Sequence, residues 1–161
     1  SLGSCYVSTI SRPISTASPN IITGFSITSN YDPYTSLDEP WRATDNSYYN
    51  DNYYSGMCDY NVEWNGWYRL FYNGQNAQMP ESCVNYGMCG TYYSLSLNGP
   101  HPQLEDGVVI RHVCFSVSGC CTYTSHPIRV KACPGNFYVY EFVKPIVCSA
   151  YCVGDPKHLL F

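Results

Sequence analysis

The chain carries little charge. Only 12% of its 161 residues are Asp, Glu, Lys or Arg, about half of the usual share, and the formal net charge is −4. No stretch gathers Lys and Arg into a basic stripe, which argues against nucleic acid as a partner. No apolar run reaches the length of a membrane span, so we expect no transmembrane segment. The length suits one domain.

Motifs for metal binding and catalysis are also missing. No CxxC pair occurs and the histidines are scattered, so we predict no zinc site. The Asp/Asn-rich stretch 45–52 lacks the pattern and the terminal Glu of an EF-hand loop and is read as a turn. There is no GxSxG elbow, and an even set of paired cysteines leaves no free thiol for catalysis. The sequence predicts a non-enzymatic protein without a cofactor.

One catalytic alternative stays open, a carboxylate-dependent hydrolase. Such an enzyme needs two carboxylates that face each other across a cleft. The available acids are Glu39, Glu81, Glu105 and Asp106. The sequence does not place them relative to one another.

Cysteine is abundant, with 10 copies. An even, large number of cysteines is typical of extracellular or secreted proteins in which all of them are paired. Cys120 and Cys121 are adjacent, so their Cα atoms are about 3.8 Å apart, whereas a disulfide prefers about 4.4–6.8 Å. Each of the two is therefore expected to bond to a distant cysteine.

The N-terminal residues 1–30 form a segment of distinct composition. Residues 8–20 are rich in Ser, Thr and Pro, which predicts an extended arm or, alternatively, a flexible tail. The candidate O-glycan carriers are Ser8, Thr9, Ser15, Thr16 and Ser18. No Asn stands in an N-x-S/T sequence, so we predict no N-linked glycan.

Alternating apolar residues predict several strands. In 21–28 one face carries Ile21, Thr23, Phe25 and Ile27, and this face needs a cover. Further strands are predicted at 67–72, 107–117, 128–133 and 137–143. No segment shows a helical stripe with caps. The predicted fold class is mainly β, a small disulfide-stapled domain with long loops behind an extended N-terminal arm.

Tyrosine is the most distinctive aromatic residue, with 17 copies. Four of them, Tyr48, Tyr49, Tyr53 and Tyr54, lie among polar residues in 47–56. Such mixtures are common where rings meet a sugar or a protein partner. The alternative is a loop whose rings pack back onto the fold.

A series of short motifs occurs in a characteristic order. They are LDEPWR (37–42), CD (58–59), GWYR (66–69), MPESC (79–83), LNGPHP (97–102), EDGVV (105–109), GCC (119–121), VKAC (130–133), FYVY (137–140) and AYC (150–152). This run resembles the uromodulin-type cysteine-rich domain, with eight- and ten-cysteine forms, found in uromodulin and the pancreatic zymogen-granule glycoprotein 2. The resemblance covers about 32–152 and divides the chain into an arm (1–30), a cysteine-rich domain (31–152) and a C-terminal tail (153–161).

The resemblance implies an extracellular, largely β, non-enzymatic module and a set of disulfides. The implied pairs are Cys58–Cys148, Cys83–Cys120, Cys89–Cys152 and Cys114–Cys121. In the family, the partner of Cys133 stands where this chain has Tyr34, and the remaining cysteine is Cys5. Cys5 can bond to Cys133 of its own chain or to Cys133 of a neighbouring copy, and both alternatives stay open.

The favoured function is a structural module that assembles head-to-tail into a fibre or matrix. In this hypothesis the arm donates the strand with Phe25 and Ile27 to the sheet of the next subunit, and Cys5–Cys133 locks the contact. The partners are then other copies of the chain, with no nucleic acid. The alternative is a monomeric module that binds a glycan or an extracellular protein.

Overall fold

A computed structural model describes residues 5, 34–49, 56–154 and 156. The fold is mainly β, as predicted. The strands of the described part are β1 (Tyr34–Asp38), β2 (Trp67–Tyr72), β3 (Gln75–Asn76), β4 (Ser94–Leu97), β5 (Val108–Arg111), β6 (Val113–Phe115), β7 (Tyr123–Thr124), β8 (Ile128–Cys133), β9 (Phe137–Glu141) and β10 (Ala150–Tyr151). Short 3₁₀ turns lie at Pro40–Arg42 and Leu104–Asp106.

Several predicted features lie outside the described residues. They are the arm strand with Ile21, Thr23, Phe25 and Ile27, the candidate O-glycan carriers Ser8, Thr9, Ser15, Thr16 and Ser18, and the tyrosines Tyr53 and Tyr54.

The strands form two sheets with the core between them. The larger sheet has the order β1-β2-β9-β8-β5, and β3 pairs with β2. The smaller sheet has the order β10-β4-β6-β7. The main core cluster draws buried side chains from both sheets, among them Leu70, Val130, Tyr140, Leu97 and Val113. Full burial of such side chains contributes about 1.5–3 kcal/mol each, so this contact is what holds the two sheets together.

The predicted strands are largely confirmed, with one exception. Strands β2 and β8 have the predicted bounds, and β9 ends two residues earlier than the predicted 137–143. The prediction of one strand over 107–117 is wrong, because the chain leaves the larger sheet at His112. Strand β5 pairs with β8 in the larger sheet, whereas β6 pairs with β4 in the smaller one. One segment thus contributes to both sheets, which is a usual way to join two packed sheets.

Five disulfide bonds connect the described cysteines. They are Cys5–Cys133, Cys58–Cys148, Cys83–Cys120, Cys89–Cys152 and Cys114–Cys121. The last four are the pairs that the resemblance implies, and Cys5–Cys133 joins the two remaining cysteines within the one chain that the structure describes. The adjacent Cys120 and Cys121 bond to different partners. Cys121 has a positive φ of 50°, a turn of the backbone at the point where the two bonds diverge.

A buried ion pair connects the segments that carry Arg42 and Asp59 to each other and to β10. The guanidinium of Arg42 donates to both carboxylate oxygens of Asp59, at 2.6 and 2.7 Å. Asp59 also accepts from the backbone N–H of Tyr151 at 2.9 Å, and Arg42 donates to the Tyr151 carbonyl at 3.3 Å. The side chains of Arg42 and Asp59 are 2% and 1% exposed, so neither charge can be solvated if the other is lost.

We predict that Asp59→Ala lowers the free energy of unfolding by about 3–5 kcal/mol, because it leaves the buried Arg42 charge with only the half-exposed Glu39 as its charged partner. Urea denaturation of the oxidised protein measures this loss. The control is Glu39→Ala, which removes the half-exposed second partner of Arg42 and should cost less than about 1 kcal/mol. Equal losses in the two variants would contradict the account.

Candidate functional site

Four tyrosines from two loops form an exposed aromatic surface, which we call the tyrosine surface. Tyr48 and Tyr49 follow the first 3₁₀ turn, and Tyr86 and Tyr92 lie on the loop between β3 and β4. The ring centroids of Tyr48 and Tyr92 are 3.9 Å apart, Tyr49 meets Tyr48 edge-on at 5.4 Å, and Tyr86 lies 5.8 Å from Tyr92. The exposed fraction is 64% for Tyr49, 42% for Tyr92 and 39% for Tyr86.

Backbone hydrogen bonds hold the two loops together beneath the rings. The N–H of Tyr48 donates to the Gly87 carbonyl at 2.7 Å, and the N–H of Gly87 donates to the Tyr92 carbonyl at 3.0 Å. The N–H of Gly90 donates to the Asn46 carbonyl, also at 3.0 Å. The positions of these rings therefore follow from the backbone and do not depend on ring packing alone.

Gly87 has no Cβ at the point where the most exposed ring approaches the backbone. Its φ is +75°, and a Cβ built on it would lie 2.7 Å from Cε2 of Tyr49. Only glycine adopts this backbone conformation without strain and also leaves room for the ring. The same loop is joined by Cys89–Cys152 to the residue after β10, which ties the tyrosine surface to the smaller sheet.

The aromatic contacts continue from the tyrosine surface across the smaller sheet. Tyr86 lies 6.0 Å from Tyr93, Tyr93 lies 4.9 Å from Phe115, and Phe115 stacks on Tyr123 at 5.5 Å. Tyr123 on β7 is 53% exposed. Accessible rings therefore extend beyond the two loops to the edge of the sheet.

The segments that carry these rings contain no ionisable group other than tyrosine and disulfide-bonded cysteine. Residues 46–49, 84–93 and 115–124 include no Asp, Glu, Lys, Arg or His. A hydrogen bond with Tyr92 raises the pKa of Tyr48, and burial raises the pKa of Tyr86. Both hydroxyls thus stay protonated at neutral pH. The surface offers aromatic faces and neutral hydroxyl groups.

Part of the tyrosine surface was predicted from the sequence. Of the four tyrosines singled out in 47–56, the structure places Tyr48 and Tyr49 in it. Tyr86 and Tyr92 were missed because they lie far away in the sequence and the disulfide-bonded loop brings them close. The Tyr-Tyr pair at 92–93, just after Cys89, was the signal in the sequence that could have found Tyr92.

Apart from the tyrosine surface, a group of polar side chains around a buried histidine resembles a catalytic relay. Nδ1 of His101 lies 2.6 Å from Oε1 of Glu81, and Nε2 lies 2.7 Å from the hydroxyl of Tyr140. Burial lowers the pKa of His101, so its ring is neutral at neutral pH, with Nδ1–H donating to Glu81 and Nε2 accepting from Tyr140. Tyr140 is completely buried and accepts a further bond from the Met79 N–H. Both ring nitrogens are thus occupied within the protein, and neither is free to act on a substrate.

The acids considered for a hydrolase do not form a catalytic pair in the described clefts. A cleft of about 650 Å³ between 78–85 and Thr44 has Glu81 as the only acid among its lining residues. A second cleft of about 560 Å³, beside Lys144, has no acid among them. Glu39 is paired with Arg42, and Asp106 accepts from the Gln103 N–H. In the described part, no group of three His, Cys, Asp or Glu residues is placed to hold a metal ion.

We predict that stability falls as the pH drops below about 6.5. The unfolded chain takes up a proton at His101 near its ordinary pKa of about 6.5, whereas the folded chain does so only at lower pH, so acid favours unfolding. The pKa of Glu81 is also lowered, since its hydrogen bonds with His101 outweigh the effect of burial. Protonation of Glu81 at lower pH therefore also favours the unfolded chain.

Thermal unfolding between pH 8 and pH 5 measures this dependence. His101→Gln should flatten the slope between pH 7 and pH 5. An unchanged slope in His101→Gln would show that this histidine is not the titrating group.

Comparisons with known proteins agree with the fold and the motifs. The family model of the uromodulin-like domain matches residues 68–153. Pancreatic secretory granule membrane major glycoprotein GP2 of the dog is 40% identical over 155 residues, 94% of this chain and 28% of that protein. Uromodulin of the rat is 42% identical over 125 residues, 77% of this chain and 18% of that protein. The human GP2 is 39% identical over 133 residues, 79% of this chain and 23% of that protein.

The chain spans less than a third of the length of these relatives. It is an extracellular, disulfide-rich domain, like the corresponding part of these glycoproteins. Within residues 34–49 and 56–154, no helix is long and apolar enough to cross a membrane. Since the family model covers more than half of the chain, the protein belongs to the family of uromodulin-like cysteine-rich domains.

Proposed function

We propose that the chain is a non-enzymatic structural module that assembles head-to-tail into a fibre or matrix through its N-terminal arm. In this proposal the predicted strand 21–28 of one subunit adds to the larger sheet of the next, and Cys5 of the first subunit bonds to Cys133 of the second. The observation that carries the proposal is the seat of Cys5 on the outer face of the larger sheet.

Cys5 is bound on the face of the larger sheet that points away from the core. Val130 and Tyr140 face each other in the register of β8 and β9 and belong to the main core. Cys133, paired with Phe137 in the same register, points to the opposite face. There Cys5 is only 5% exposed and packs with Cys133, Phe137 and Val139. In the structure Cys5 of the same chain fills this apolar seat, and we propose that Cys5 of a neighbouring copy fills it in the assembly.

Strand β5 offers an edge for the donated strand. It is the last strand of the larger sheet and, in the described part of the chain, pairs only with β8. Its side chains Val108 and Ile110 are 41% and 65% exposed. An open edge with exposed apolar residues is a ready template for pairing with another chain. Val108 lies opposite Lys131, two residues from Cys133, so this edge begins close to the seat of Cys5.

The length of the chain favours a donor from another copy. β1 and β5 lie at opposite edges of the larger sheet, so a strand added beyond β5 lies five strand spacings, or about 24 Å, from β1. The six residue steps from the end of the predicted strand at 28 to the start of β1 at 34 span at most about 22 Å. The predicted strand of the same chain therefore falls just short of the β5 edge when the connection crosses the sheet. The strand of a neighbouring copy is not limited by the length of this connection.

The chemistry of the described residues supports a non-enzymatic role. Both ring nitrogens of His101 are occupied by Glu81 and Tyr140, and neither of the two described clefts is lined by a pair of acids. No described cysteine carries a free thiol.

We predict a ladder of disulfide-linked species on a non-reducing gel that collapses to the monomer on reduction. The double variant Cys5→Ser/Cys133→Ser should lose the ladder, because it removes the proposed link without leaving an unpaired thiol. Ile110→Lys should lower the fraction of polymer that sedimentation velocity detects, because a charge on the edge strand opposes strand addition. Val117→Lys is the matched control, since Val117 is similarly exposed, at 46%, but lies outside the strands.

Two results would contradict the proposal. One is a wild-type chain that runs and sediments only as a monomer with all its disulfides formed. The other is a polymer that persists unchanged in both Cys5→Ser/Cys133→Ser and Ile110→Lys.

A further inference from the structure

We propose that the tyrosine surface, defined by Tyr48, Tyr49, Tyr86 and Tyr92, is a binding site for neutral oligosaccharides. This function is separate from assembly, because the site uses loops that contact neither the seat of Cys5 nor the β5 edge in the described contacts.

The first reason to assign a ligand to the tyrosine surface is the exposure of its rings. The core tyrosines Tyr140 and Tyr151 are completely buried, whereas Tyr49 leaves almost two thirds of its surface to solvent. A contiguous group of accessible rings is unusual on a protein that binds nothing, because rings are normally buried for their hydrophobic gain. This group includes Tyr92 and Tyr86, each about two-fifths exposed.

The second reason to assign a ligand to the tyrosine surface is its rigidity. The backbone bonds from Tyr48 to Gly87 and from Gly87 to Tyr92 fix the two loops against each other. Cys89–Cys152 fixes the outer loop to the smaller sheet. Little conformational entropy is then lost when a ligand binds, which matters most for weak ligands such as sugars.

The chemistry of the surface identifies the class of ligand. A pyranose ring has an apolar face of C–H groups, which packs on an aromatic face, and a rim of hydroxyls, which exchange hydrogen bonds with phenol groups. The tyrosine surface offers both kinds of contact. Its segments carry no charged side chain, so nothing in them would attract an anionic glycan, a nucleic acid or a charged peptide.

The spacing of the rings suits more than one sugar unit. From Tyr49 the contacts pass to Tyr92 at 6.4 Å, from Tyr92 to Tyr86 at 5.8 Å and from Tyr86 to Tyr93 at 6.0 Å. Successive rings can therefore contact successive units of a chain. We expect tetrasaccharides to bind more tightly than the corresponding monosaccharides.

Isothermal titration of the oxidised chain with four neutral probes tests the proposal. The probes are chitotetraose, mannotetraose, laminaritetraose and lacto-N-tetraose, each compared with its monosaccharides and with heparin as the anionic control. We expect saturable binding of at least one tetrasaccharide with a Kd of about 1 mM or tighter. Heparin should not bind.

The variants connect binding to named rings. Tyr49→Ala and Tyr92→Ala should each weaken binding at least about tenfold. Tyr49→Phe, which keeps the ring, should lose less than Tyr49→Ala. Tyr60→Ala is the matched control, because Tyr60 is 37% exposed and lies beside Lys144, away from the site. Unchanged urea midpoints show that the variants are folded, and Cys5→Ser/Cys133→Ser should bind as the wild type does.

Three outcomes would overturn the proposal. They are no heat of binding with any neutral tetrasaccharide at a concentration of about 10 mM, binding that survives in the combined Tyr49→Ala/Tyr92→Ala variant, and selective capture of an extracellular protein by these rings in the absence of sugar binding. None of these outcomes bears on assembly, so failure of the sugar site and failure of the arm proposal are distinguishable.

Discussion

The buried pair of Arg42 and Asp59 is the interaction on which the arrangement of the loops depends. Arg42 lies just before the segment with Tyr48 and Tyr49, and Asp59 follows Cys58 in the next described segment. Both groups bind Tyr151 on β10, so a single salt bridge joins two loops to the smaller sheet. Two buried charges are costly to desolvate, and this pair is stable because five hydrogen bonds, including one from Arg42 to Glu39, satisfy them.

The disulfides extend this tethering to segments that the core does not reach. Cys58–Cys148 lies next to Asp59, and Cys89–Cys152 lies next to Tyr151, so two of the bonds reinforce the same region as the ion pair. Cys5–Cys133 differs from them because it lies on the opposite, outer face of the larger sheet. One set of disulfides thus stabilises the loops, and Cys5–Cys133 joins Cys5 to the outer face of the sheet. If subunits assemble through the arm as we propose, assembly is therefore separable from folding.

The sequence predicted features that depend on local pattern. The alternation in 128–133 predicted β8 with its bounds, because Ile128, Val130 and Ala132 are buried whereas Arg129 and Lys131 on the other face are not. The split of 107–117 could not be predicted, since residues 113–115 are buried on both faces and the change of sheet at His112 depends on its distant partners. Similarly, Tyr48 and Tyr49 stand out in the sequence, whereas their contacts with Tyr92 require the fold. The relay of His101 joins Glu81 to Tyr140 through hydrogen bonds between residues 20 and 39 positions apart, so it has no local signal.

The two proposals describe one module with two outer surfaces, a sheet that binds the arm of a neighbour and a neutral tyrosine surface that remains accessible in the assembly. The central claim is the exchange of the arm, and isotope mixing tests it most directly. Equal amounts of ¹⁵N-labelled and unlabelled chain are reduced, unfolded and refolded together under oxidising conditions, and the disulfide-linked peptides with Cys5 and Cys133 are weighed by mass spectrometry. Exchange between copies predicts that about half of these peptide pairs combine one labelled and one unlabelled member, as random pairing between identical subunits requires. If every pair is wholly labelled or wholly unlabelled, Cys5 and Cys133 bond within one chain and the assembly account is wrong.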